Sequence, residues 1–422
     1  MQTFSIDKKN ATPFITDIFS KICIFFLLLT LTNKDLGNSS SLVYWGLILV
    51  GLGGLVLKLC MTKKNLVFTT FIWWYLAFFI VCVTSLMYSI QLSASIESVK
   101  TMVVNASALF CLAWMIDTKE DINTIAKILL LVTICNAVYL FFSVDWKTMG
   151  IERLDATEIG VGWNSNEIGL MMLWGTMLCC YLAKELKKPG YYLAIPLFLS
   201  LIVYSGSRKV WLGLALFVMV LIYINNKRRL FTSIIISVFV LIAIYNLIMN
   251  VEWLYNIGGE RLEQFFDGLL GTGEYDSSAA TRDRYINYGW EWFLEKPIFG
   301  YGINTFRKLL SGVMGRSTYS HNNYIELLVG VGIIGAIVFY YIYLKVVKMG
   351  LSSIFNKNKD RSPQAHILLA LILIHIPLQI GMVSFQSIYD LILLLLVFYY
   401  FRFEEIKYKE GLKNERSLVR SI

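Results

Sequence analysis

A chain of 422 residues of which 57% are hydrophobic and only 16% charged, with a mean hydropathy of +0.61, carries more apolar surface than a soluble core can hide, so lipid must be its solvent. The net charge of +9 does not point to nucleic acid, because the basic residues are scattered between apolar runs instead of being gathered on one soluble face. The seven cysteines all lie inside apolar runs, so no disulfide framework is visible and they read as small hydrophobes.

In chain order the apolar runs predict about twelve membrane-crossing helices, at 15–32, 42–60, 66–88, 99–116, 122–144, 166–184, 191–206, 209–225, 231–250, 322–344, 365–383 and 386–403. Runs such as Leu66 to Met87 reach the roughly 20 residues a helix needs to cross ~30 Å of hydrocarbon, about twice a barrel strand. Only helices satisfy their own backbone amides over such stretches without water. The first run has no small-residue cleavage site close behind it and reads as a span, not a removed leader. An even count puts both termini on one side. Lys63 and Lys64, Lys119, Lys187 and Lys188, Lys227 to Arg229, Lys357 to Arg361 and the tail from Arg402 to Arg420 then fall on that side, which the positive-inside rule makes cytoplasmic. The expected architecture is therefore an all-α polytopic integral membrane protein, 1–422 as a single membrane domain, with 251–321 as a large extracytoplasmic loop between the ninth and tenth spans.

Within that loop the aromatic run Tyr285 to Phe293 predicts a helix lying in the membrane interface, with a solvated structured loop as the alternative. Pro297 and Gly300-Tyr301-Gly302 follow it. Gly51, Gly53 and Gly54 in the second span, and Gly332 and Ala336 in the tenth, read as small residues that let helices approach closely.

Several cations gather at the outer face against the topology rule: Arg208, Lys209, Arg282, Arg284 and His321. Arginine binds phosphate oxygens through paired hydrogen bonds and never loses its charge, so a cluster of this kind implies an anionic phosphate ligand. His366 sits at a cytoplasmic helix end and reads as inert, and His375, near Pro377 within the eleventh span, as structural. His321 differs, because Ser320-His321-Asn322-Asn323 opens a helix whose free amides and dipole also favour an anion. An imidazole there can serve as general base. Asn164, Asn166, Glu167, Glu326 and Asp390 are the other polar groups at this level. Asp390 or Glu326 either neutralises Arg208 or Lys209 or takes part in binding or catalysis. No metal or nucleotide motif is present, and no cofactor is expected.

Ser205-Gly206-Ser207-Arg208, the run Arg282 to Trp290 leading to Pro297-Ile298-Phe299-Gly300-Tyr301-Gly302, and Ser320-His321-Asn322-Asn323-Tyr324-Ile325-Glu326 together resemble the O-antigen ligase and polymerase superfamily. The specific part of the resemblance covers roughly residues 160–345. It implies that Arg208, Arg282 and His321 are catalytic, Arg282 being preferred over Arg284 by its distance to Pro297. Asn164-Ser165-Asn166 resembles the family's N-x-N segment, with serine where proline is frequent. The implied reaction moves a glycan from a polyprenyl pyrophosphate onto a sugar hydroxyl, on another carrier-linked repeat unit (polymerase) or on a lipid A core (ligase). Polymerase is favoured, as a metal-independent inverting glycosyltransferase. The substrate-binding set is then Arg284, Lys209, Asn322, Asn323, Glu326, Asn166 and Tyr301. The expected partners are a polyprenyl-pyrophosphate-linked oligosaccharide and the lipid bilayer, with a chain-length regulator and a flippase, in a bacterial cell membrane. A transporter of anionic solutes is the rival from another class, disfavoured because the cations lie at the edge and the two halves do not match.

Overall fold

Apolar runs of this length can satisfy their amides in lipid only as helices, and the described residues form helices and turns with no strand. The structure, a computed structural model, describes residues 18–33, 42–62, 66–146, 163–226, 229–260, 263–264, 267, 277–355 and 362–419. Its helices of nine residues or more are α1 Ile18–Thr32, α2 Leu42–Met61, α3 Thr70–Thr84, α4 Leu92–Met115, α5 Lys119–Ser143, α6 Ser165–Leu186, α7 Ile195–Ser205, α8 Arg208–Asn225, α9 Leu230–Asn250, α10 Ser277–Glu295, α11 Phe306–Met314, α12 Asn323–Phe355, α13 Pro363–Leu378 and α14 Ile388–Val419.

Among the described residues, eight helices are long and apolar enough to cross a bilayer: α2, α3 with the 3-10 turn behind it, α4, α5, α8, α9, α12 and α13 with its own 3-10 turn. Ile18–Thr32 and Pro189–Ser205 are shorter apolar segments. Every run expected to span contains one of these helices or α6 or α14. The fourth begins earlier than hydropathy places it, at Leu92, because the serines of its polar first turns are used internally. Ser95 donates to Ile303 O at 2.6 Å, and Ser98 accepts from Gln386. Lys63 and Lys64, Lys227 and Arg228, and Lys357 to Arg361, which carry much of the topology expectation, lie outside the described residues.

The centre of the bundle is α5, α6, α12, α13 and α14. From Ile168 to Ala183 every residue of α6 is buried, whereas α9 turns Phe231, Val238, Phe239 and Ile242 outward. In lipid the packing depends on fit and on internal polar bonds more than on exclusion of water. Such bonds join the helices here: Tyr181 donates to Asn123 Oδ1 at 2.7 Å, and Asn105 to Gln386 O at 3.0 Å.

The glycines play different parts. Gly51 and Gly54 lie against α1, where an added Cβ would come 3.0 Å from Leu27 Cβ and 2.4 Å from Cys23 Sγ. Gly53 has nothing within 4 Å, so its expected packing role does not hold. Gly332 is also not a helix-contact glycine. With φ 65° and ψ −169° it breaks α12, about 14 Å along its axis from Asn323. The segment from Pro297 to Gly302 enters the break. Tyr301 N donates to Val329 O at 2.8 Å, Gly302 N to Gly330 O at 2.8 Å, and Ile333 N to Pro297 O at 2.9 Å. The far side of the segment is held by the turn between α3 and α4. Tyr88 OH donates to Phe299 O at 3.0 Å, Ile90 N to Tyr301 O at 3.1 Å, and Ile303 N to Ser85 Oγ at 3.1 Å.

At Gly332 an added Cβ would lie 2.2 Å from Ile298 O, in a backbone region that only glycine occupies readily. Gly332→Ala is expected to destabilise the protein by about 1–3 kcal/mol through strain alone. The loss should appear as a lower unfolding temperature in detergent, and an unchanged melt would refute the insertion.

Candidate functional site

Three short segments bring the polar residues to one end of the bundle, and each has a local cause. The first is the start of α6, capped by Asn164, whose Oδ1 accepts from Asn166 N at 3.0 Å and Glu167 N at 3.1 Å. Asn166 in turn accepts from Ser207 Oγ at 2.7 Å, which ties the start of α6 to the start of α8. Gly206, at φ 55°, reverses the chain between α7 and α8. That turn fits against α6 only because residue 169 is glycine, where an added Cβ would come 2.8 Å from Ser205 Oγ. Arg208 and Lys209 therefore open α8 directly beside this junction. The Lys209 ammonium donates to Gly381 O at 2.7 Å, in the turn that follows α13.

The second segment is α10. Tyr285, Gly289 and Trp292 recur at helical spacing and form its buried stripe. They pack on Ile325 and Phe306: an added Cβ at Gly289 would come 2.2 Å from Ile325 Cγ2, and the Trp292 and Phe306 rings are 5.3 Å apart. The expected interfacial run is thus divided, with Tyr285 and Trp292 turned into the protein and Trp290 turned out. Arg282 lies one turn before Tyr285 on the packed stripe and is half-buried, whereas Arg284 lies on the exposed side. This difference of face separates two arginines that are only two positions apart.

The third segment is the turn at His321, a non-glycine residue at φ 56°. Its neighbours hold it in that conformation. Glu326, 2% exposed, accepts from Ser320 N at 2.8 Å; Ser320 Oγ donates to Asn322 O at 2.8 Å; and Asn322 Oδ1 caps α12 by accepting from Tyr324 N at 2.9 Å and Ile325 N at 3.2 Å. The imidazole lies 4.1 Å from the Tyr319 ring and is stacked on Tyr285 at 6.4 Å, so the α10 stripe leads directly to it.

The electrostatics follow from this convergence. Burial, then Arg282, then Lys209, lower the His321 pKa to about 4. The ring is neutral at neutral pH and able to accept a proton. The Tyr319 hydroxyl is raised by burial and feels Glu167, Arg282, Glu326 and Arg307, which shows that the start of α6 and the first turn of α11 also face this point. Arg307 is a residue the sequence reading missed. Its only signal is its place after Phe306, which belongs to the buried cluster with Tyr285 and Ile325.

The remaining expected residues are placed as follows. Asn323 is fully buried, with its amide donating to Tyr340 OH and Gln379 Oε1, both at 2.9 Å, and accepting from Ser384 N at 2.9 Å and Phe385 N at 3.0 Å. Tyr301 belongs to the segment inserted in α12. Its hydroxyl donates to Glu295, Lys296 lies 4.4 Å over its ring, and burial followed by the Glu295 bond pushes it up to about 12. Asn166, Asn322 and Glu326 are engaged in the junctions already described. His366 bonds Ser362 O at 2.9 Å near the start of α13, away from this end. Asp390 faces His375 at 3.9 Å. Among the described residues, no group of three or more His, Cys, Asp or Glu side chains is placed to hold a metal ion.

Residues 193–340 match the family described as O-antigen ligase. The matched segment runs from the turn before α7 to just beyond the break in α12, and so contains Arg208, Arg282, the inserted segment and His321. It ends before the partners that Asn323 and Lys209 find after α13. No curated protein matches the chain. The match supports, over this segment, the superfamily resemblance carried by the sequence motifs.

The depressed His321 pKa has a consequence for stability with a definite sign. Between its unfolded value near 6.5 and its folded value near 4, the unfolded chain binds a proton that the folded chain does not, so stability falls as pH drops through that window. His321→Gln is expected to remove this part of the acid sensitivity. Parallel melting curves of the two proteins between those pH values are the check; equal slopes would contradict the placement of the ring.

Proposed function

We propose that the protein polymerises polyprenyl-pyrophosphate-linked oligosaccharide repeat units at the outer face of a bacterial cell membrane. The observation that carries the reading is the half-buried, neutral His321 beside Arg282 and Lys209 in an O-antigen ligase domain. In this mechanism an acceptor sugar hydroxyl gives its proton to His321 as its oxygen attacks the anomeric carbon of the donor. The bond from that carbon to the pyrophosphate oxygen breaks, and its electrons leave with the pyrophosphate. Arg208 and Arg282, assisted by Lys209, stabilise the charge that develops there. The proton on His321 then passes to the released pyrophosphate. A single displacement inverts the anomeric centre.

In this reading Asn166, Asn322, Asn323, Glu326 and Tyr301 hold the site, and Arg284 meets the glycan or the headgroups from the exposed side of α10. The break in α12 is the one feature that favours transport, since transporters bind solute at interrupted helices. The backbone of Pro297 to Gly302 fills it, which removes the open carbonyls such a site would use.

Purified protein given the lipid-linked oligosaccharide as sole substrate is expected to form a ladder of products on a gel. Product only after lipid A core is added would support the ligase reading, and none in either case would sink the transferase reading. Arg282→Ala and Arg208→Ala are each expected to lower the rate by about 10²–10³, the usual cost of losing a group that stabilises developing charge. Arg284→Ala should cost less than about tenfold. Equal losses at Arg282 and Arg284 would contradict the assignment of faces on α10.

A further inference from the structure

The tyrosines around the start of α12 mostly spend their hydroxyls on the fold. Tyr324 OH donates to Ile376 O at 2.8 Å, Tyr340 OH to Gln379 Oε1 at 2.7 Å and Tyr301 OH to Glu295. Asn322, Asn323 and Glu326 are used in caps and turns. Tyr319 and His321 are different. Among the described residues, no group hydrogen-bonds either side chain, and both are partly buried with their polar atoms still accessible. Polar groups in folded proteins are rarely left without a partner as they are buried, so this adjacent pair is placed to meet a ligand.

The backbone sets the two rings side by side. Ser320 between them is fixed at both of its polar groups: its N donates to Glu326 at 2.8 Å, its Oγ donates to Asn322 O at 2.8 Å, and Asn322 N donates back to that Oγ at 3.2 Å. The left-handed turn at His321 then brings the imidazole to 4.1 Å from the Tyr319 ring. Tyr285, the other ring beside His321, is farther away at 6.4 Å and belongs to the packed cluster with Phe306 and Ile325. Burial, and after it Glu167, raise the Tyr319 pKa, so at neutral pH the phenol keeps its proton and can donate it in a hydrogen bond. A pyrophosphate that receives the proton held on His321 comes within reach of both rings.

We propose that Tyr319 is a catalytic residue of the transfer site, its hydroxyl donating a hydrogen bond to an oxygen of the leaving pyrophosphate while His321 takes the proton of the acceptor. The inference rests on the proposed transfer reaction and adds a neutral donor to its arginines. Tyr319 keeps its own proton throughout, so the transferred proton still travels from the acceptor hydroxyl to His321 and on to the pyrophosphate. A hydrogen bond to an oxygen that gains charge as its bond to carbon breaks is stronger in the transition state than in the bound donor, and therefore acts on kcat.

Tyr319→Phe tests this with a single atom, since it keeps the ring against His321 and removes an oxygen that no described residue bonds. Its melting temperature in detergent is expected to equal that of the wild type. Two measurements are made on the purified full chain: transfer kinetics with the lipid-linked oligosaccharide, and binding of sugar-free polyprenyl pyrophosphate, which carries the leaving group's charge in full. The variant is expected to lose about 10–100-fold in kcat with KM within about twofold, and to bind the pyrophosphate about tenfold more weakly, as for a lost hydrogen bond to a charged group. Wild-type rates in the variant, or a rate loss explained by a smaller folded fraction, would overturn the proposal. A lower rate with unchanged pyrophosphate binding would also overturn it, by putting the hydroxyl on the acceptor side. Should the wild type transfer nothing, the transfer reading fails on its own, and binding decides the place of the hydroxyl: weaker binding by the variant keeps it at the pyrophosphate, while equal binding, or none by the wild type, removes it.

Discussion

Backbone amides inside a bilayer must find partners within the protein, and the rest of this structure depends on how α12 meets that demand where it breaks. At Gly332 the helix gives up its own bonds, and a non-helical strand of backbone at this depth is tolerable only when protein surrounds it. Pro297, Tyr301 and Gly302 supply the missing partners from one side, and Tyr88, Ile90 and Ser85 hold the same segment from the other. The insertion therefore pins the chain between α10 and α11 to the bundle at a fixed depth. With that end fixed, the stripe of Tyr285, Gly289 and Trp292 has one way to lie on α12, and Arg282 is delivered to His321.

The polar residues at this end divide by what their hydrogen-bonding groups are doing. Asn323 uses its amide in four bonds, Asn322 is occupied in capping α12, and Glu326 holds Ser320 N. These groups fix geometry. His321 is held differently, by its left-handed backbone turn and by ring contacts with Tyr319 and Tyr285, which orient the imidazole while leaving it half-buried. Burial beside two cations then lowers its proton affinity, so that the site holds positive charge on arginine and lysine and keeps the histidine neutral.

The sequence carried the class of fold further than the construction of the site. Long apolar runs need no tertiary information to be read as helices, and the motifs mark Arg282 and His321, which face each other, and Arg208, which opens α8 beside the start of α6. The preference for Arg282 over Arg284 rested in the sequence on a spacing to Pro297 alone, whereas the structure places the two on different faces of one helix. Gly332 was misread because a small residue in an apolar helix looks the same whether it admits a neighbouring helix or an inserted loop, and only its positive φ distinguishes them. Ser85 and Ser95 gave no signal, since serines at the edge of an apolar run are ordinary and their partner, Ile303, lies some two hundred residues further along the chain.

The same constraint accounts for where the proposed transfer site sits. A pyrophosphate attached to a polyprenyl chain has its charge at the headgroup level while its tail stays in hydrocarbon, so a site for it belongs at the end of a bundle and not at its middle. Cations there are only partly desolvated, which preserves their charge, yet the protein behind them is dry enough to strengthen their effect. The start of a helix suits this position because its dipole favours an anion. Here the starts of α6, α8 and α12 are held together by the Asn166 to Ser207 bond, by Lys209 on Gly381 and by Asn323 on Ser384 and Phe385. Three helix beginnings gathered around one histidine provide a fixed positive field without requiring any of the arginines to be buried.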